Sequence, residues 1–228
     1  MKIGAIVQAR MNSIRFPKKT LYKVNNKPLL FYLIENLKQC SINNDVIVAT
    51  SEEESDLPVE KLCQEKNIKV FRGKLDDVAY RFIQVLEKNP WDAFIRVNGD
   101  SPLLDYRLIE KALTIYKNGD YDLVTNVFPR TFPKGQSVEI IKTTTFISAY
   151  PKFKDNFEKE HITQHFYRNK EKYKIFNFKA EHDYSNKKFA VDTPDDMKFF
   201  EATVQKMKKP HWEYNLDELV ELQKEPVV

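Results

Sequence analysis

Short apolar runs alternate with amphipathic stretches along most of the chain, and this alternation predicts an α/β protein. The first run, residues 3–7, is continuous and rich in β-branched side chains, which is typical of a buried strand. Strand and helix patterns then follow each other in turn, and this order predicts a mostly parallel sheet with right-handed crossovers. The predicted strands are 3–7, 45–50, 68–71, 93–97 and 121–127. The predicted helices are 28–37, 57–66 and 105–117. A further helix, between the third and fourth strands, is predicted to be capped by Asp76 and to end at residue 86.

The alternation ends after Asn126, where a connection rich in proline and aromatic residues begins. We expect residues 128–187 to form a small lobe laid onto the end of the sheet, and its aromatic content indicates an interaction surface. The chain, residues 1–228, is therefore predicted to be one domain with an inserted lobe. Within and after the lobe we predict strands at 138–141, 173–178 and 188–191 and helices at 143–150, 157–169, 194–206 and 216–223, the third of them opened by a capping box of Thr193 and Asp196.

Composition favours a soluble globular protein, with 42% hydrophobic and 31% charged residues in a chain of 228. The net charge is +4, and the basic residues are mixed with 33 acids, so no extended nucleic-acid footprint is expected. No apolar run approaches the ~20 residues that span a membrane. Arg10 and Arg15 interrupt the N-terminal apolar stretch, so we expect no signal peptide and a cytoplasmic location. Cys40 and Cys63 are predicted to be reduced, partly buried thiols.

The loop at residues 9–19 joins the first predicted strand to the first predicted helix and carries four cations and no acid. Ligands of open α/β sheets bind beyond the carboxyl ends of the strands. A cationic loop at that edge therefore predicts a polyanionic ligand, most simply the phosphates of a nucleotide. Arginine offers a fork of donors to phosphate oxygens, whereas lysine acts as a point charge. The four cations are Arg10, Arg15, Lys18 and Lys19.

Two acids, Asp100 and Asp192, each follow a short apolar run and precede a turn into a helix. Both should therefore lie at the same sheet edge as the cationic loop. Two carboxylates that face a cationic pocket suit Mg²⁺, which binds one or two carboxylates together with substrate phosphates. From the residues alone an alternative stays open, in which each acid only forms a turn.

Three motifs resemble those of the CTP-dependent cytidylyltransferases that make CMP-sugars, the CMP-Kdo and CMP-acylneuraminate synthetases. They are Ala-Arg-x-x-Ser-x-Arg-x-Pro-x-Lys at 9–19, Gly-Asp-x-Pro-Leu at 99–103 and Asp-Thr-Pro-Asp-Asp at 192–196. The chain is most similar to the spore coat polysaccharide biosynthesis (SpsF) branch. This resemblance covers nearly the whole chain. It implies a Rossmann-like, three-layer nucleotidyltransferase fold and a homodimer formed with the help of the inserted lobe.

The resemblance also implies the reaction, which is transfer of CMP from CTP to a sugar acid with release of pyrophosphate. Mg²⁺ would be held by Asp100 and Asp192, and Arg10, Lys19 and Asp100 would be catalytic. Gln136 and Ser137 depart from the Leu-Asp expected in the SpsF-like branch, and this leaves the acceptor open. The implied nucleotide-binding residues are Ala9, Arg10, Ser13, Arg15, Lys19, Arg72, Asp77 and Asn98, and the implied acceptor-binding residues are Arg81, Gln136, Glu139 and His161.

Several alternatives follow from the same residues. A phosphonate or polyol-phosphate acceptor is possible because the nucleotide motifs do not report the acceptor. Sugar-1-phosphate nucleotidyltransferases are disfavoured by the missing Gly-Gly-rich loop, and glycosyltransferases by the missing Asp-x-Asp. A non-catalytic nucleotide-binding module is the alternative of another class. His161 and His165 are spaced like a zinc pair on a helix, but no third ligand is apparent. The alternative roles of Asp76 and Asp77 are structural, a cap for Asp76 and a place in the positive first turn of the same helix for Asp77.

Overall fold

A seven-stranded sheet forms the centre of the chain in the computed structural model, which describes residues 1–224. A separate two-stranded hairpin lies between the first strand of this sheet and the first helix. The strands are β1 (Ile3–Gln8), β2 (Lys23–Val24), β3 (Lys27–Pro28), β4 (Val46–Ser51), β5 (Lys69–Gly73), β6 (Ala93–Asn98), β7 (Leu123–Thr125), β8 (Glu139–Lys142) and β9 (Ile175–Asn177).

The large sheet has the order β5-β4-β1-β6-β8-β7-β9. Strand β8 runs antiparallel to β6 and β7, and the other neighbouring pairs are parallel. The chain first builds outward from β1 through β4 to β5 and then returns to place β6 on the other side of β1. The carboxyl ends of β1 and β6 therefore flank a topological switch point, where ligands of open α/β sheets bind.

Helices cover both faces of the sheet, so that the fold has three layers. Side chains alternate along β1 and β6: Val7 and Ile95 enter one apolar core, whereas Ile6 and Phe94 enter the other. The predicted three-layer α/β nucleotidyltransferase architecture is thereby confirmed. The helices are α1 (Leu29–Leu37), α2 (Leu57–Glu65), α3 (Val78–Lys88), α4 (Tyr106–Lys117), α5 (Thr143–Ala149), α6 (Asn156–Glu160), α7 (Gln164–Arg168), α8 (Pro194–Gln205) and α9 (Leu216–Lys224).

Residues 128–187 do not stand apart from the sheet in the way that the sequence analysis expected. They contribute β8 and β9, and β8 lies between β6 and β7 in the main sheet. The strand predicted at 188–191 is wrong, because this segment is extended and makes one isolated bridge, between Lys134 and Lys188. The segment instead fixes the edge of the sheet, since the backbone N–H of Val191 donates to the carbonyl of Asp100 at 2.8 Å.

The helix predicted at 157–169 is also wrong, since it is broken into α6 and α7. The N–H of His161 closes α6 on the carbonyl of Phe157 at 2.8 Å, and the turn that follows buries Ile162 completely in the core. Because of this break, His161 and His165 do not share one helix face. His165 is buried beside Glu158 and Tyr173, whereas His161 lines a cleft at the carboxyl ends of β1 and β6.

Several local predictions are confirmed. Thr193 caps α8 and forms a capping box with Asp196. Cys40 and Cys63 are free and buried, and burial raises the pKa of each thiol to about 12. The cap predicted at Asp76 is wrong, because the carboxylate that accepts the N–H of Tyr80 at the start of α3, at 2.8 Å, belongs to Asp77. Within residues 1–224, no helix has both the length and the apolar character needed to cross a membrane.

Candidate active site

A cleft of about 350 Å³ opens at the carboxyl ends of β1 and β6, at the switch point of the sheet. It joins the cationic loop to both of the acids that the sequence singles out. Nine of the predicted site residues line it, together with six that were not predicted. The predicted nine are Ala9, Arg10, Ser13, Arg15, Lys19, Asn98, Asp100, His161 and Asp192, and the further six are Gln8, Ile14, Thr20, Arg96, Gly99 and Glu160.

The cationic loop is held in a fixed curve by its own backbone. The N–H of Lys18 donates to the carbonyl of Met11 at 2.8 Å, which closes the loop at its base. The hydroxyl of Thr20 donates to the carbonyl of Arg10 at 2.7 Å. Lys18 itself adopts a left-handed conformation, with φ of 64°, and its side chain is exposed. The loop therefore directs Lys19 into the cleft and Lys18 away from it.

A buried carboxylate, Asp56, ties this loop to the neighbouring strand end. It is 1% exposed, and it accepts hydrogen bonds from the N–H of Met11 at 2.6 Å and from the N–H of Ser51 at 3.0 Å. The hydroxyl of Ser51 donates to it as well. An acidic run such as residues 51–56 is typical of a solvated loop, but Asp56 in this acidic loop turns inward. The signal was weak, because nothing in a run of acids marks the one that turns inward.

Lys19 lies between the two acids in the cleft. Its Nζ is 2.9 Å from a carboxylate oxygen of Asp100 and 3.5 Å from one of Asp192, and it also donates to the carbonyl of Val191 at 2.6 Å. Arg15 contacts the same oxygen of Asp192 at 2.8 Å, yet its side chain is 64% exposed. Arg15 is therefore free to move onto a bound anion, whereas Lys19 is fixed.

The electrostatic environment keeps Asp192 ionised. Partial burial opposes this, but the hydrogen bond and charge of Lys188 and the charges of Lys19 and Arg15 lower the pKa of its carboxyl overall. Lys188 Nζ lies 3.1 Å from Asp192 and 2.6 Å from the capping-box acid Asp196. The helix cap and the candidate metal ligand are thus parts of one charged network.

The donors at this edge fit a hard divalent cation such as Mg²⁺. Asp100 and Asp192 contact the same ammonium, so the two carboxylates converge on one small volume of the cleft. No group of three or more His, Cys, Asp or Glu side chains capable of holding a metal occurs among residues 1–224. Two carboxylates beside a cationic loop match Mg²⁺, because this ion takes its remaining ligands from substrate phosphates and water.

The opposite wall of the cleft comes from the end of α6. Arg10 forms an ion pair with Glu160 at 3.1 Å, which connects the cationic loop to this wall. His161 follows, and its ring packs edge-on against Phe157 with centroids 4.5 Å apart. Although much of the residue is exposed, partial burial of the ring and the charge of Arg96 lower the pKa of His161. The imidazole is therefore neutral at pH 7.

Arg96 is the principal residue that sequence reasoning missed. Its side chain is 10% exposed, and its Nη1 pairs with Glu139 at 2.8 Å. Glu139 in turn accepts the hydroxyl of Tyr167 at 2.5 Å, and that hydroxyl is 2.9 Å from the hydroxyl of Thr125. A signal for Arg96 did exist, because a cation in an otherwise apolar buried strand, two residues before Asn98, must lie on the face of the sheet that carries Asn98.

The structure does not bring Arg72 and Asp77 into the cleft. Arg72 donates to the carbonyls of residues 51, 52 and 53 and pairs with Glu60 at 3.1 Å, so it fastens the acidic loop to β5. Asp77 caps α3, accepts the hydroxyl of Tyr150 at 2.9 Å and lies 3.6 Å from Lys159. Both residues therefore support the framework, and Asp77 has a structural role at the start of α3.

Two of the predicted acceptor-binding residues are engaged inside the protein. Arg81 is 1% exposed and donates to the carbonyls of Lys74 and Leu75, and its burial lowers the pKa of its guanidinium. Gln136 is completely buried, with its amide paired to the main chain of residues 103 and 105 at 2.6 and 2.9 Å. A direct acceptor contact for either side chain is therefore wrong for this structure, because neither has a free surface. The third, Glu139, lies behind Arg96 and does not line the cleft.

The fold and the cleft together define a nucleotide-binding α/β protein, in which a cationic loop faces two carboxylates at a topological switch point. The comparisons with known proteins agree. A family model described as cytidylyltransferase matches residues 4–225. The chain belongs to the cytidylyltransferase family, whose members are nucleotidyltransferases, and the predicted resemblance is confirmed.

Three known proteins illustrate this membership. The spore coat polysaccharide biosynthesis protein SpsF of Bacillus subtilis is 27% identical over 211 residues, which cover 88% of this chain and 85% of that protein. A cytidylyltransferase structure from Leptospira borgpetersenii superposes with a TM-score of 0.93 at 29% identity, over 98% of this chain and 94% of that one. A CMP-2-keto-3-deoxy-manno-octonic acid synthetase complexed with CTP has the same fold, with a TM-score of 0.71 at 18% identity over 91% and 100% of the two chains.

Proposed function

We propose that this protein transfers CMP from CTP to a sugar acid of the Kdo or acylneuraminate kind and releases pyrophosphate. One observation carries the proposal: the ammonium of Lys19 contacts both Asp100 and Asp192 at the sheet edge where the cationic loop begins. With these residues side by side, one cleft contains a binding site for a triphosphate and a binding site for a divalent cation. A module that only held a nucleotide would need the cations but not the paired acids.

The cleft residues divide the work of the reaction between them. An acceptor oxygen attacks the α-phosphorus of CTP, and the bond from that phosphorus to the bridging oxygen of pyrophosphate breaks. Arg10, Arg15 and Lys19 neutralise the charge that the leaving pyrophosphate gains, and Ser13 adds a hydrogen bond to the phosphates. Phosphoryl-type transfers gain mainly from such positioning and electrostatic stabilisation.

Asp100 and Asp192 would hold Mg²⁺, which lowers the charge barrier at the phosphate when bound. A sugar-acid hydroxyl loses its proton as its oxygen attacks, whereas a phosphate or phosphonate oxygen is already ionised at neutral pH. Asn98 and Ala9 line the same cleft and are proposed to contact the nucleoside. Arg72 and Asp77 lie outside the cleft and have framework roles.

The names of the relatives support the substrate class. The spore coat protein SpsF is named for polysaccharide biosynthesis, and the solved synthetase is named for a Kdo-type sugar acid. On this basis we propose a role in surface-glycan synthesis and a cytoplasmic location, where CTP is available. We also propose a homodimer through residues 128–187, which carry the exposed apolar side chains Ile147, Phe157 and Phe176.

The first experiment is pyrophosphate release from CTP with Mg²⁺, with UTP, ATP and GTP as controls. Kdo, N-acetylneuraminic acid, a simple phosphonate and a polyol phosphate serve as acceptors. Release that requires CTP and a sugar acid is the expected result. Release only with the phosphonate or the polyol phosphate keeps the reaction and replaces the acceptor class. No release from protein that binds CTP overturns the proposed enzyme in favour of a nucleotide-binding module.

The variant Asp100→Asn is a second experiment that distinguishes an enzyme from a nucleotide-binding module. If the protein is an enzyme, this change abolishes the Mg²⁺-dependent turnover while CTP still binds through the cationic loop. The matched control is Asp76→Asn, at an exposed acid outside the cleft. Unchanged turnover in Asp100→Asn would contradict the assignment of this carboxylate.

A further inference from the structure

Arg96 is a largely buried cation that lines the cleft, and its hydrogen-bond donors are only partly used. Its Nη1 pairs with Glu139, but its Nε is buried and has no hydrogen-bond partner within residues 1–224. We propose that Arg96 binds the anionic group of the acceptor, a carboxylate in a sugar acid or the equivalent oxyanion in a phosphonate or phosphate. This inference rests on the proposed transfer reaction and deepens it, because it names the residue that selects an anionic acceptor.

The position of Arg96 separates it from the phosphate-binding loop. On β6 it lies two residues before Asn98, which places it on the same face of the sheet and roughly 6–7 Å further from the strand end. In the sheet register its neighbours are Ile6 on β1 and Glu139 on β8. Lys19 and Arg15 contact the acids at the strand ends and so lie at the outer edge of the same cleft. Lys19 and Arg15 are thus available to the triphosphate, and Arg96 is available to a second anionic group deeper in the cleft.

The guanidinium is held rigidly for such a role. Glu139 is 3% exposed and receives the hydroxyl of Tyr167, so the chain of contacts from Thr125 through Tyr167 and Glu139 fixes the plane of Arg96. A fixed arginine fork matches a planar carboxylate or a phosphate in two hydrogen bonds. An incoming oxyanion would meet a guanidinium that is already held in one orientation, at little cost in side-chain ordering.

A second unpaired atom in the cleft points to the rest of the acceptor. The amide oxygen of Gln8 is buried and has no partner within the described residues, and Gln8 pairs with Asn98 across β1 and β6. This unpaired amide oxygen can accept a hydrogen bond, so it suits a hydroxyl group of the ligand. His161, neutral at pH 7, offers a further hydrogen bond without adding charge. A ligand with both an oxyanion and hydroxyl groups, as in a sugar acid, complements these three side chains.

The test is steady-state kinetics of Arg96→Gln with the acceptor that the wild-type protein uses, together with CTP titration by calorimetry. We expect the KM for the acceptor to rise at least 10-fold while the Kd for CTP changes less than 2-fold. Arg107→Gln is the matched control, since Arg107 is also paired with a carboxylate, Asp105 at 3.0 Å, but lies outside the cleft. A rise in the Kd for CTP with an unchanged acceptor KM would overturn the inference and make Arg96 a nucleotide contact.

Loss of the cation leaves the buried carboxylate of Glu139 without a countercharge, which destabilises the protein. The double variant Arg96→Gln/Glu139→Gln avoids this, and we expect it to show the same acceptor defect. Glu139→Gln alone keeps the cation, so its acceptor KM should rise less than that of Arg96→Gln. Equal defects in all three variants, with a lowered unfolding midpoint, would mean a structural role and would overturn the inference.

Failure of the inference can be told apart from failure of the proposed reaction. If no acceptor in the panel supports turnover, binding of Kdo and of methylphosphonate is measured by calorimetry in the presence of CTP and Ca²⁺. Wild-type binding that is lost in Arg96→Gln would support the site without catalysis. Binding that is equal in the two proteins would overturn it. An equal loss of binding for a neutral sugar would also overturn it, because Arg96 would then not be recognising a negative charge.

Discussion

The Nζ atom of Lys19 lies 2.9 Å from the carboxylate of Asp100, although the two residues are 81 positions apart in the chain. The ammonium is 10% exposed and also reaches Asp192. It therefore sets the distance between the cationic loop after β1 and the acid after β6. Any change in this contact should alter the phosphate-binding loop and the acidic pair together.

Lys19→Met should lower turnover roughly 10²–10³-fold, the usual effect of removing one preorganised group that stabilises developing charge. It should also weaken CTP binding, because the loop loses the cation nearest the two acids. Pyrophosphate release and calorimetric CTP titration measure the two effects. Lys18→Met, at the adjacent exposed lysine, is the control and should keep both near wild-type values. Full activity in Lys19→Met would contradict the role given to this ammonium.

Asp56→Asn should destabilise the protein by about 1–3 kcal/mol, since a buried acceptor of several backbone donors is replaced by a group that presents a donor of its own. The carboxylate holds Met11 and Ser51 together, so the cationic loop should loosen and the Kd for CTP should rise. Urea unfolding and CTP titration give the two values. Glu54→Gln, an exposed acid in the same loop, is the comparison. A loss of stability with unchanged CTP affinity would show that the loop does not depend on this tie.

Gly99→Ala should impair both stability and turnover. A Cβ at position 99 would lie 2.9 Å from the Cβ of Ala9 and 2.9 Å from the carbonyl oxygen of Gln8, so β1 and β6 would be forced apart at the floor of the cleft. Overpacking of this kind costs about 1–3 kcal/mol. Gly73→Ala meets the side chain of Arg81 at 2.9 Å outside the cleft, and it should lose stability but keep its turnover. Turnover that falls equally in both variants would count against a local effect at the cleft.

His211 should make the stability depend on pH between neutrality and mild acid. Burial lowers the pKa of its imidazole below the ordinary value of 6.5, although a hydrogen bond to the carbonyl of Tyr32 opposes this. The unfolded chain therefore takes up the proton first as the pH falls. The contribution is complete above pH 6.5 and is lost as the pH falls through the folded value.

Urea unfolding at pH 7.5 and pH 5.5 tests this dependence. His211→Gln should reduce the loss of unfolding free energy between the two pH values. The exposed His182 provides the control variant, His182→Gln. An identical pH dependence in His211→Gln and wild type would refute the assignment to His211.

The sequence by itself determined the framework and the sheet edge at which the candidate site lies. Apolar runs with period-two or helical spacing predict strands and helices from local physics, and β1, β4, β5 and β6 lie within a residue or two of their predicted bounds. The cationic loop and the acids at 100 and 192 were predicted to meet because parallel strands end at one edge. Asp100 follows β6 and obeys this rule, whereas Asp192 follows the extended segment 188–191, which the hydrogen bond from the N–H of Val191 to the carbonyl of Asp100 holds at the same edge.

The motifs also identified the family, because the spacing of residues within a motif such as 9–19 is a local property of the sequence. What the motifs did not carry was the role of each side chain within them. Arg72, Asp77 and Gln136 stand in family-like segments, yet in the structure their partners are main-chain carbonyls, a helix N-terminus and a buried turn. A sequence position does not say which way a side chain turns.

Only the tertiary structure decided which polar groups are buried, and these groups shape the cleft. Asp56 turns inward from an acidic loop because two backbone N–H groups converge on it, and Arg96 is partly neutralised by Glu139 from a strand 43 residues away. The break between α6 and α7 likewise depends on the burial of Ile162. Each of these depends on contacts between distant segments, whose free energy is set by the assembled fold and is invisible in a local pattern of residues.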